Sequence, residues 1–292
     1  MSLARRSVLQ RATRCLEQHG VPEPLPDAEV LLAHVLALPR LQIYIDALQP
    51  ISLAQQKAYL DCLRRRIRGE PVQYITGKQE FRSLAFEVNP CVLIPRPESE
   101  LLVDHGVRWA KHWARQNGTS RLRCLDVGTG SGNLGISLLH ELQECRVWAI
   151  DSSLAALSVA RRNARQLGVD DRWQGLCGNL VEPLRVESPH FAVCVANLPY
   201  VTDAEWQTLP VHIRNYEPAA ALLGGTDGLN VIRRLIAAAP TVLAPGGTLL
   251  LEVGWQQADA VEGLMRHTAP FKVTGRCGDF AGIDRVVWGR TA

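Results

Sequence analysis

No stretch of this chain approaches the ~20 consecutive apolar residues that a membrane-crossing helix needs. The N-terminal MSLARRSVLQRATRCLEQHG carries charges throughout, so the apolar h-region of a secretion signal is missing too. Both absences point to a cytoplasmic protein without a membrane. Charge of one sign is also scarce: 32 Lys plus Arg against 29 Asp plus Glu leaves only +3, too mild to imply nucleic-acid binding by itself. The 8 cysteines include no C-x-x-C pair and no neighbouring His cluster, so metal-ligand spacing is absent and no metal is expected. Several sit inside apolar runs (CVLIP, RCLDV, AVCVAN) and read as small buried hydrophobes in a reducing compartment. There is no internal repeat and no low-complexity tract.

What is present suits a globular protein of one large or two smaller domains. The 292 residues are 47% hydrophobic and 21% charged. The first ~75 residues look helical. Ala28, Leu31, Leu32 and Val35 follow one helix face, and Leu53, Leu60, Leu63 and Ile67 repeat part of that pattern. Pro22, Pro24, Pro26 and Pro50 separate the segments. RRRIR at 64–68 reads either as a contact for an acidic partner or as a solvated, basic helix C-terminus that suits the helix dipole.

Residues 79–97 change character. Phe81, Leu84, Phe86 and Val88 lie among polar residues, with Ser83 and Asn89-Pro90 as turn signals, which predicts a short hairpin or extended linker. PRPESE then opens a helix, with proline near the first turn and acidic residues after it. From Leu122 onward, seven apolar strands alternate with amphipathic helices, the pattern of a doubly wound parallel sheet with an antiparallel edge near the C-terminus.

Leu125-Asp-Val-Gly-Thr-Gly-Ser-Gly132 follows the first of those strands and opens a helix. Gly128 and Gly130 permit a tight turn, and Gly132 a close approach to a ligand. The spacing is G-x-G-x-G, not the G-x-G-x-x-G of dinucleotide binders, and no P-loop lysine follows. S-adenosylmethionine has no phosphate but a sulfonium, an amino-acid head, a ribose and an adenine. Asp126 beside the loop suits it better than a diphosphate. Asp151, 21 residues after Gly130 at the second strand end, is placed to accept from ribose hydroxyls.

The fourth strand, HFAVCVANLPY, ends on polar groups. The Asn197 amide oxygen and the Leu198 carbonyl can accept two hydrogen bonds, since Pro199 cannot continue a ladder. Two acceptors a residue apart can grip one planar –NH₂, and Tyr200 offers a flat face to stack on it. Such a grip positions a weak nitrogen nucleophile and stabilises the positive charge it develops. A plain strand-ending turn would also use Asn and Pro, but this one lies beside a cofactor loop.

On these residues the chain resembles the PrmC/HemK family, the protein-glutamine methyltransferases of class I peptide-chain release factors. The resemblance covers nearly the whole sequence: PVQYITGKQEF (71–81), LIPRPESELLVD (93–104), LDVGTGSGNLGISL (125–138), AIDSSLAALSVARRNA (149–164), ANLPYV (196–201), NYEPAAALLGGTDGL (215–229), LLLEVG (249–254) and DRVVWGR (284–290). It implies an α/β fold: a Rossmann-like, seven-stranded class I methyltransferase domain (98–292), preceded by a small all-α N-terminal substrate-docking domain (1–77) and a β-hairpin linker (78–97). It implies methyl transfer from S-adenosylmethionine to the glutamine side-chain nitrogen of a Gly-Gly-Gln motif, in a monomer with no direct nucleic-acid partner. By position, Gly128, Thr129, Gly130, Ser131 and Gly132 would cradle the cofactor, Asp151 hold its ribose, and Asn179 and Leu180 border its adenine. Asn197, Leu198, Pro199 and Tyr200 would bind the glutamine amide, with Asn197 also bordering the cofactor.

Three positions depart from the family. Leu198 replaces the first proline of the usual Asn-Pro-Pro-Tyr but keeps the carbonyl. Asn179 stands where an acidic residue is common, and Leu180 where an aromatic often stacks on adenine. Asn-Leu-Pro-Tyr itself resembles the motif of rRNA adenine dimethyltransferases, whose substrate also presents a planar –NH₂. Such an enzyme needs a basic groove, however, and residues 1–97 carry 13 Lys plus Arg against 9 Asp plus Glu, only +4. A glutamine methyltransferase of a ribosomal protein is a further alternative, which PRPESE and NYEP disfavour. A non-catalytic cofactor-binding protein is another, against which the retained Asn197-x-Pro199-Tyr200 argues.

Overall fold

A computed structural model describes residues 3–184, 190–268 and 271–292. Two compact units divide the chain: residues 1–78 with 210–216, and residues 79–209 with 217–292.

The first unit is built from α1 (Arg5–Gln18), α2 (Pro24–Leu36), α3 (Arg40–Ile45), α4 (Leu53–Ile67) and α5 (Val72–Thr76). A two-residue antiparallel pair, β1 (Leu3–Ala4) with β2 (Pro50–Ile51), qualifies the all-α expectation. Pro24 and Pro26 do not break a helix. They lie in the first turn of α2, where a missing N–H costs nothing. Ala28, Leu31 and Leu32 are buried as the spacing predicts. In α4 the expected face is corrected: Leu53 and Leu60 are exposed, while Tyr59 and Leu63 are buried. The reason is the contact with α2: the Tyr59 hydroxyl donates to the Ala28 carbonyl (2.8 Å), which sets the Tyr59 and Leu63 face inward and turns Leu53 and Leu60 to solvent. A capping box of Ser52 and Gln55 starts the helix at Leu53. RRRIR closes α4, but Arg66 is drawn inward onto Asp27 (2.6 Å), so it is not a uniformly solvated end.

The second unit opens with the hairpin β3 (Lys78–Phe81) and β4 (Leu84–Glu87). Its two turn residues, Arg82 and Ser83, both have positive φ (50° and 59°), the turn that matches strand twist. The one-turn helix Pro97–Ser99 leads into α6 (Glu100–Asn117). Then come β5 (Leu122–Val127), α7 (Asn133–Glu141), β6 (Cys145–Asp151), α8 (Leu154–Gln166), β7 (Trp173–Cys177) and β8 (Phe191–Ala196). β9 (Val201–Thr202) precedes α9 (Asp203–Thr208). The chain then contributes α10 (Val211–Tyr216) to the first unit, where the Tyr216 hydroxyl donates to the Arg68 carbonyl (3.1 Å). β10 (Leu223–Gly225), α11 (Asn230–Ala238), β11 (Leu243–Glu252), α12 (Ala258–His267), β12 (Phe271–Gly278) and β13 (Asp284–Thr291) complete the fold.

Seven strands form one sheet in the order β12-β13-β11-β8-β5-β6-β7. The five from β11 to β7 run parallel, and β13 and β12 add the antiparallel edge. All seven strands read from the sequence are present. The parallel strands are apolar on both faces because helices cover both. On β8, Val193 and Val195 enter the cluster under α6 and α7, while Cys194 and Ala196 enter the opposite one. The cysteine reading needs a correction: Cys124, Cys145 and Cys194 are buried, but Cys91 and Cys177 are exposed.

The sequence reading missed the short parallel pair of β9 with β10 and the helix α9. The signal for α9 was present: Thr202 and Glu205 form a capping box.

Candidate active site

The chain runs outward from β5 through β6 to β7, then returns to lay β8 on the other side of β5. Strand order therefore reverses between β5 and β8, where open α/β sheets bind ligands. Val127 registers with Ala196, so the glycine loop and Asn197 leave the sheet side by side. A cleft of about 420 Å³ opens there, within the usual range for small-ligand sites.

The glycine loop is tied from within. The N–H groups of Gly128 and Thr129 both donate to the Ile150 carbonyl (2.8 and 3.0 Å), and that of Gly132 to the Thr129 carbonyl (2.8 Å). Asp151 accepts from Gly130 N–H through Oδ2 and from Ser153 N–H through Oδ1, each at 2.9 Å. Each carboxylate oxygen keeps a further lone pair. Asp126 is fully buried; its Oδ2 accepts from the Thr129 hydroxyl (2.6 Å) and Gly135 N–H (3.0 Å), while its Oδ1 has no partner. Burial raises its pKa to about 6, against the pull of those two bonds. A diphosphate would find these N–H groups committed and the Asp151 carboxylate in the cleft beside them, whereas Asp126 is buried and does not line it. A ligand with a ribose diol fits that set better.

Gly128, Thr129, Gly130 and Ser131 line the cleft; Gly132 does not. Gly132 has a φ of 83°, and a Cβ there would stand 2.7 Å from Ile136 Cδ1 and 3.2 Å from Ala160 Cβ, so a left-handed backbone and helix packing both favour glycine there. Asn163, on the buried face of α8, was not singled out in the sequence. Its amide donates to the carbonyls of Ser131 (2.8 Å) and Glu87 (3.0 Å) and accepts from Glu87 N–H (2.7 Å), joining the hairpin to the glycine loop. An Asn among the alanines of an apolar helix face was the available signal.

Asn197, Leu198 and Pro199 line the cleft. The Asn197 side-chain nitrogen donates to the Ser99 hydroxyl (3.0 Å), which leaves Oδ1 as the acceptor end of that amide. The Ser99 hydroxyl donates to Glu252 Oε2 (2.5 Å). Leu198 is buried, and a Cβ on Gly128 would come within 3.1 Å of its Cδ2. Tyr200 is not among the lining residues. Its ring packs on the adjoining core, its hydroxyl reaches Glu252 Oε1 (3.4 Å), and burial followed by the Glu252 charge pushes its pKa up. Glycine at 224 lets the Gly-Gly-Thr-Asp-Gly segment lie against this turn: a Cβ there would stand 2.7 Å from the Pro199 carbonyl.

Ser99 and Glu252 were not singled out as site residues. β-strand alternation places Glu252 on the same face as Leu250, the face that α6 covers, and Ser99 sits at the start of α6. Burial raises the Glu252 carboxyl to about 7, against the bond from Ser99. Arg96 also lines the cleft. It pairs with the buried Glu217 (2.5 Å), which accepts from Ile94 N–H (3.2 Å) as well, so IPRP and NYEP meet through one carboxylate.

At the far end of the cleft lie Asn179 and Leu180, with Arg234 beside them. The Asn179 nitrogen donates to Glu182 (2.7 Å), which leaves its oxygen as an acceptor. Leu180 is buried with a φ of 52°.

Two family models match, one described as the PrmC N-terminal domain over residues 7–77 and one as a methyltransferase domain over residues 124–216. A release factor glutamine methyltransferase of Geobacter sulfurreducens is 38% identical over 290 residues, covering 98% of this chain and 96% of the relative. The enzyme of that name from Burkholderia pseudomallei is 40% identical, covering 90% of this chain and 91% of its own. The solved structure of a methyltransferase from Pyrococcus furiosus, at 14% identity, superposes with a TM-score of 0.50, covering 79% of this chain and 98% of that one. It speaks to the fold alone. A class I methyltransferase fold, a cleft at its switch point and full-length relatives of one kind agree: the chain belongs to the release factor glutamine methyltransferases, enzymes that use S-adenosylmethionine.

Proposed function

We propose that the cleft between β5 and β8 methylates the side-chain nitrogen of the glutamine in the Gly-Gly-Gln motif of class I peptide-chain release factors. The observation that carries the reading is the commitment of the Asn197 amide nitrogen to Ser99. It leaves Oδ1, with the Leu198 carbonyl one residue on, as two acceptors beside the glycine loop.

An amide nitrogen is a poor nucleophile because its lone pair is delocalised. Asn197 Oδ1 and the Leu198 carbonyl bind its two hydrogens, hold the nitrogen in place and stabilise positive charge as it forms. Orientation of this kind is worth up to roughly 7–11 kcal/mol. S-adenosylmethionine supplies an electrophilic methyl group on its sulfonium. The loop from Gly128 to Ser131 would hold it, Asp151 would accept from its ribose, and Asn179 Oδ1 and Leu180 would border its adenine. Gly132 shapes the loop by packing. Leu198 keeps the carbonyl that the proline of relatives would offer, and its side chain closes against Gly128. Tyr200 packs behind the acceptor pair, with its hydroxyl on Glu252.

The helical unit, residues 1–77, would dock the release factor, and residues 78–97 would connect it to the catalytic unit, residues 98–292. The enzyme acts as a cytoplasmic monomer on a protein substrate, without contacting nucleic acid or membrane. Free cysteines and a modest net charge support that setting. Among the described residues no helix is long and apolar enough to cross a membrane.

The test is methyl transfer from labelled S-adenosylmethionine to a purified release factor, its Gly-Gly-Ala variant, ribosomal protein and rRNA in parallel. Label on the release factor that vanishes in the variant is expected. Label on rRNA alone would overturn the reading in favour of an adenine substrate.

A further inference from the structure

Ser99 occupies the N-cap position of α6, where a serine hydroxyl ordinarily accepts from the helix backbone. Here it makes no cap bond. The hydroxyl lies instead between two side chains far away in sequence, Asn197 and Glu252. Ser99 is 1% exposed and Glu252 3%, so water does not compete for either group. A buried carboxylate is costly, and a chain that keeps one against the core has a use for it.

The direction of the hydrogen bonds decides what that use is. A hydroxyl has one proton. With Glu252 ionised, the Ser99 proton goes to Oε2, and the Ser99 oxygen can only accept. It therefore selects the Nδ2 end of the Asn197 amide and turns Oδ1 away toward the cleft. With Glu252 protonated, the carboxyl donates to Ser99. The serine proton must then find another acceptor, and the Asn197 amide is the other side chain already bonded to that hydroxyl. That bond requires Oδ1, so the amide turns over and presents a donor to a substrate nitrogen that is itself a donor.

We propose that Glu252 is a positioning residue for methyl transfer: through the Ser99 hydroxyl its carboxylate holds the Asn197 amide with the oxygen toward the substrate –NH₂. The inference rests on Asn197 being the amide acceptor. Glu252 never touches the substrate. Its surroundings place its titration where the relay can switch. Burial raises it to about 7, and the Glu98 charge on the turn before α6 adds to the rise. The Ser99 and Tyr200 hydroxyls and Arg285 from β13 oppose it. Arg285 is itself paired with Asp279 (3.0 Å), and Arg96 with Glu217, so neither cation neutralises Glu252 outright.

The experiment compares the wild type with Glu252→Gln, Ser99→Ala and Ser99→Thr in the full chain, from pH 5.5 to 9. Wild-type kcat/KM for release factor should fall as pH drops through about 7. Ser99→Thr keeps the hydroxyl and should keep that limb. Ser99→Ala and Glu252→Gln should lose it and run about 10- to 100-fold below the wild-type plateau, with S-adenosylmethionine affinity within about threefold by calorimetry. Persistence of the limb in either Ser99→Ala or Glu252→Gln overturns the proposal, as does loss of cofactor binding in step with turnover.

A second readout needs no turnover. The Asn197 side-chain amide resonance, identified by its absence in Asn197→Ala, should move with the same midpoint in the wild type and stay still in Ser99→Ala. An unmoving wild-type resonance sinks the relay. If the wild type labels adenine rather than glutamine, the proposed substrate is wrong, yet the resonance still decides the relay.

Discussion

The Asn197 side chain and the Ser99 hydroxyl, 98 residues apart in sequence, share a 3.0 Å hydrogen bond at the carboxyl edge of the sheet. That bond distinguishes the two ends of an otherwise symmetric-looking amide. It leaves Oδ1 as the acceptor end of the Asn197 side chain, one residue before the Leu198 carbonyl.

Replacing Asn197 by Ala removes one of two acceptors without touching the glycine loop. Methyl transfer should fall about 10²- to 10³-fold, the usual loss for one preorganised charge-stabilising group. Cofactor affinity, read by calorimetry, should stay within about threefold. Turnover that survives would mean that Asn197 only ends the strand.

Asp151 holds the loop through two separate oxygens, one on Gly130 and one on Ser153. Asp151→Asn keeps one acceptor and sets an N–H against a backbone N–H. Hydrogen bonds to charged groups are worth about 1.5–3 kcal/mol. S-adenosylmethionine should therefore bind about 10- to 100-fold more weakly, while kcat at saturating cofactor changes less. An unchanged dissociation constant would remove Asp151 from the cofactor site.

Arg96→Met strands the Glu217 carboxylate, whose side chain is 2% exposed. Breaking a buried pair by removing one partner costs about 3–5 kcal/mol. The arginine is 31% exposed, so the lower end is expected. Thermal unfolding should shift down by several degrees. Arg96→Met with Glu217→Gln should recover part of that loss, because no unpaired charge remains. A double variant no more stable than the single would show that packing, not charge, sets the effect.

Asp126 carries a pH signature. Its folded carboxyl titrates near 6, above the ordinary 3.8, because burial penalises the charge. The folded state therefore holds a proton that the unfolded chain has already released. Stability from this group is full below about pH 4, declines as pH rises to about 6, and is flat above. A shift of roughly two units corresponds to about 3 kcal/mol. Asp126→Asn cannot titrate. The urea midpoint at pH 7.5 minus that at pH 4.5 should be higher in the variant than in the wild type. An unchanged gap would place the titration elsewhere.

Much of this molecule is decided locally, and that part is legible in the sequence. The alternation of apolar strands with amphipathic helices depends only on side-chain period. So all seven strands of the main sheet could be read before any coordinates, as could the hairpin whose turn falls at Arg82-Ser83. The glycine spacing, the acidic strand end at Asp151 and the polar ending Asn197-Leu-Pro-Tyr200 are local too. Strand order was not decided locally. The return of β8 to the side of β5 is what sets Asn197 beside Gly128. Tertiary structure also reassigned individual residues. Gly132 packs helices, Leu53 and Leu60 face solvent, Cys91 and Cys177 are exposed, and the Tyr200 ring belongs to the core behind the cleft. Ser99, Asn163, Glu217 and Glu252 acquire their parts only from partners tens to hundreds of residues away. A side chain's period reveals the face on which it lies, whereas a hydrogen bond across the fold depends on which other face arrives there, and only packing decides that.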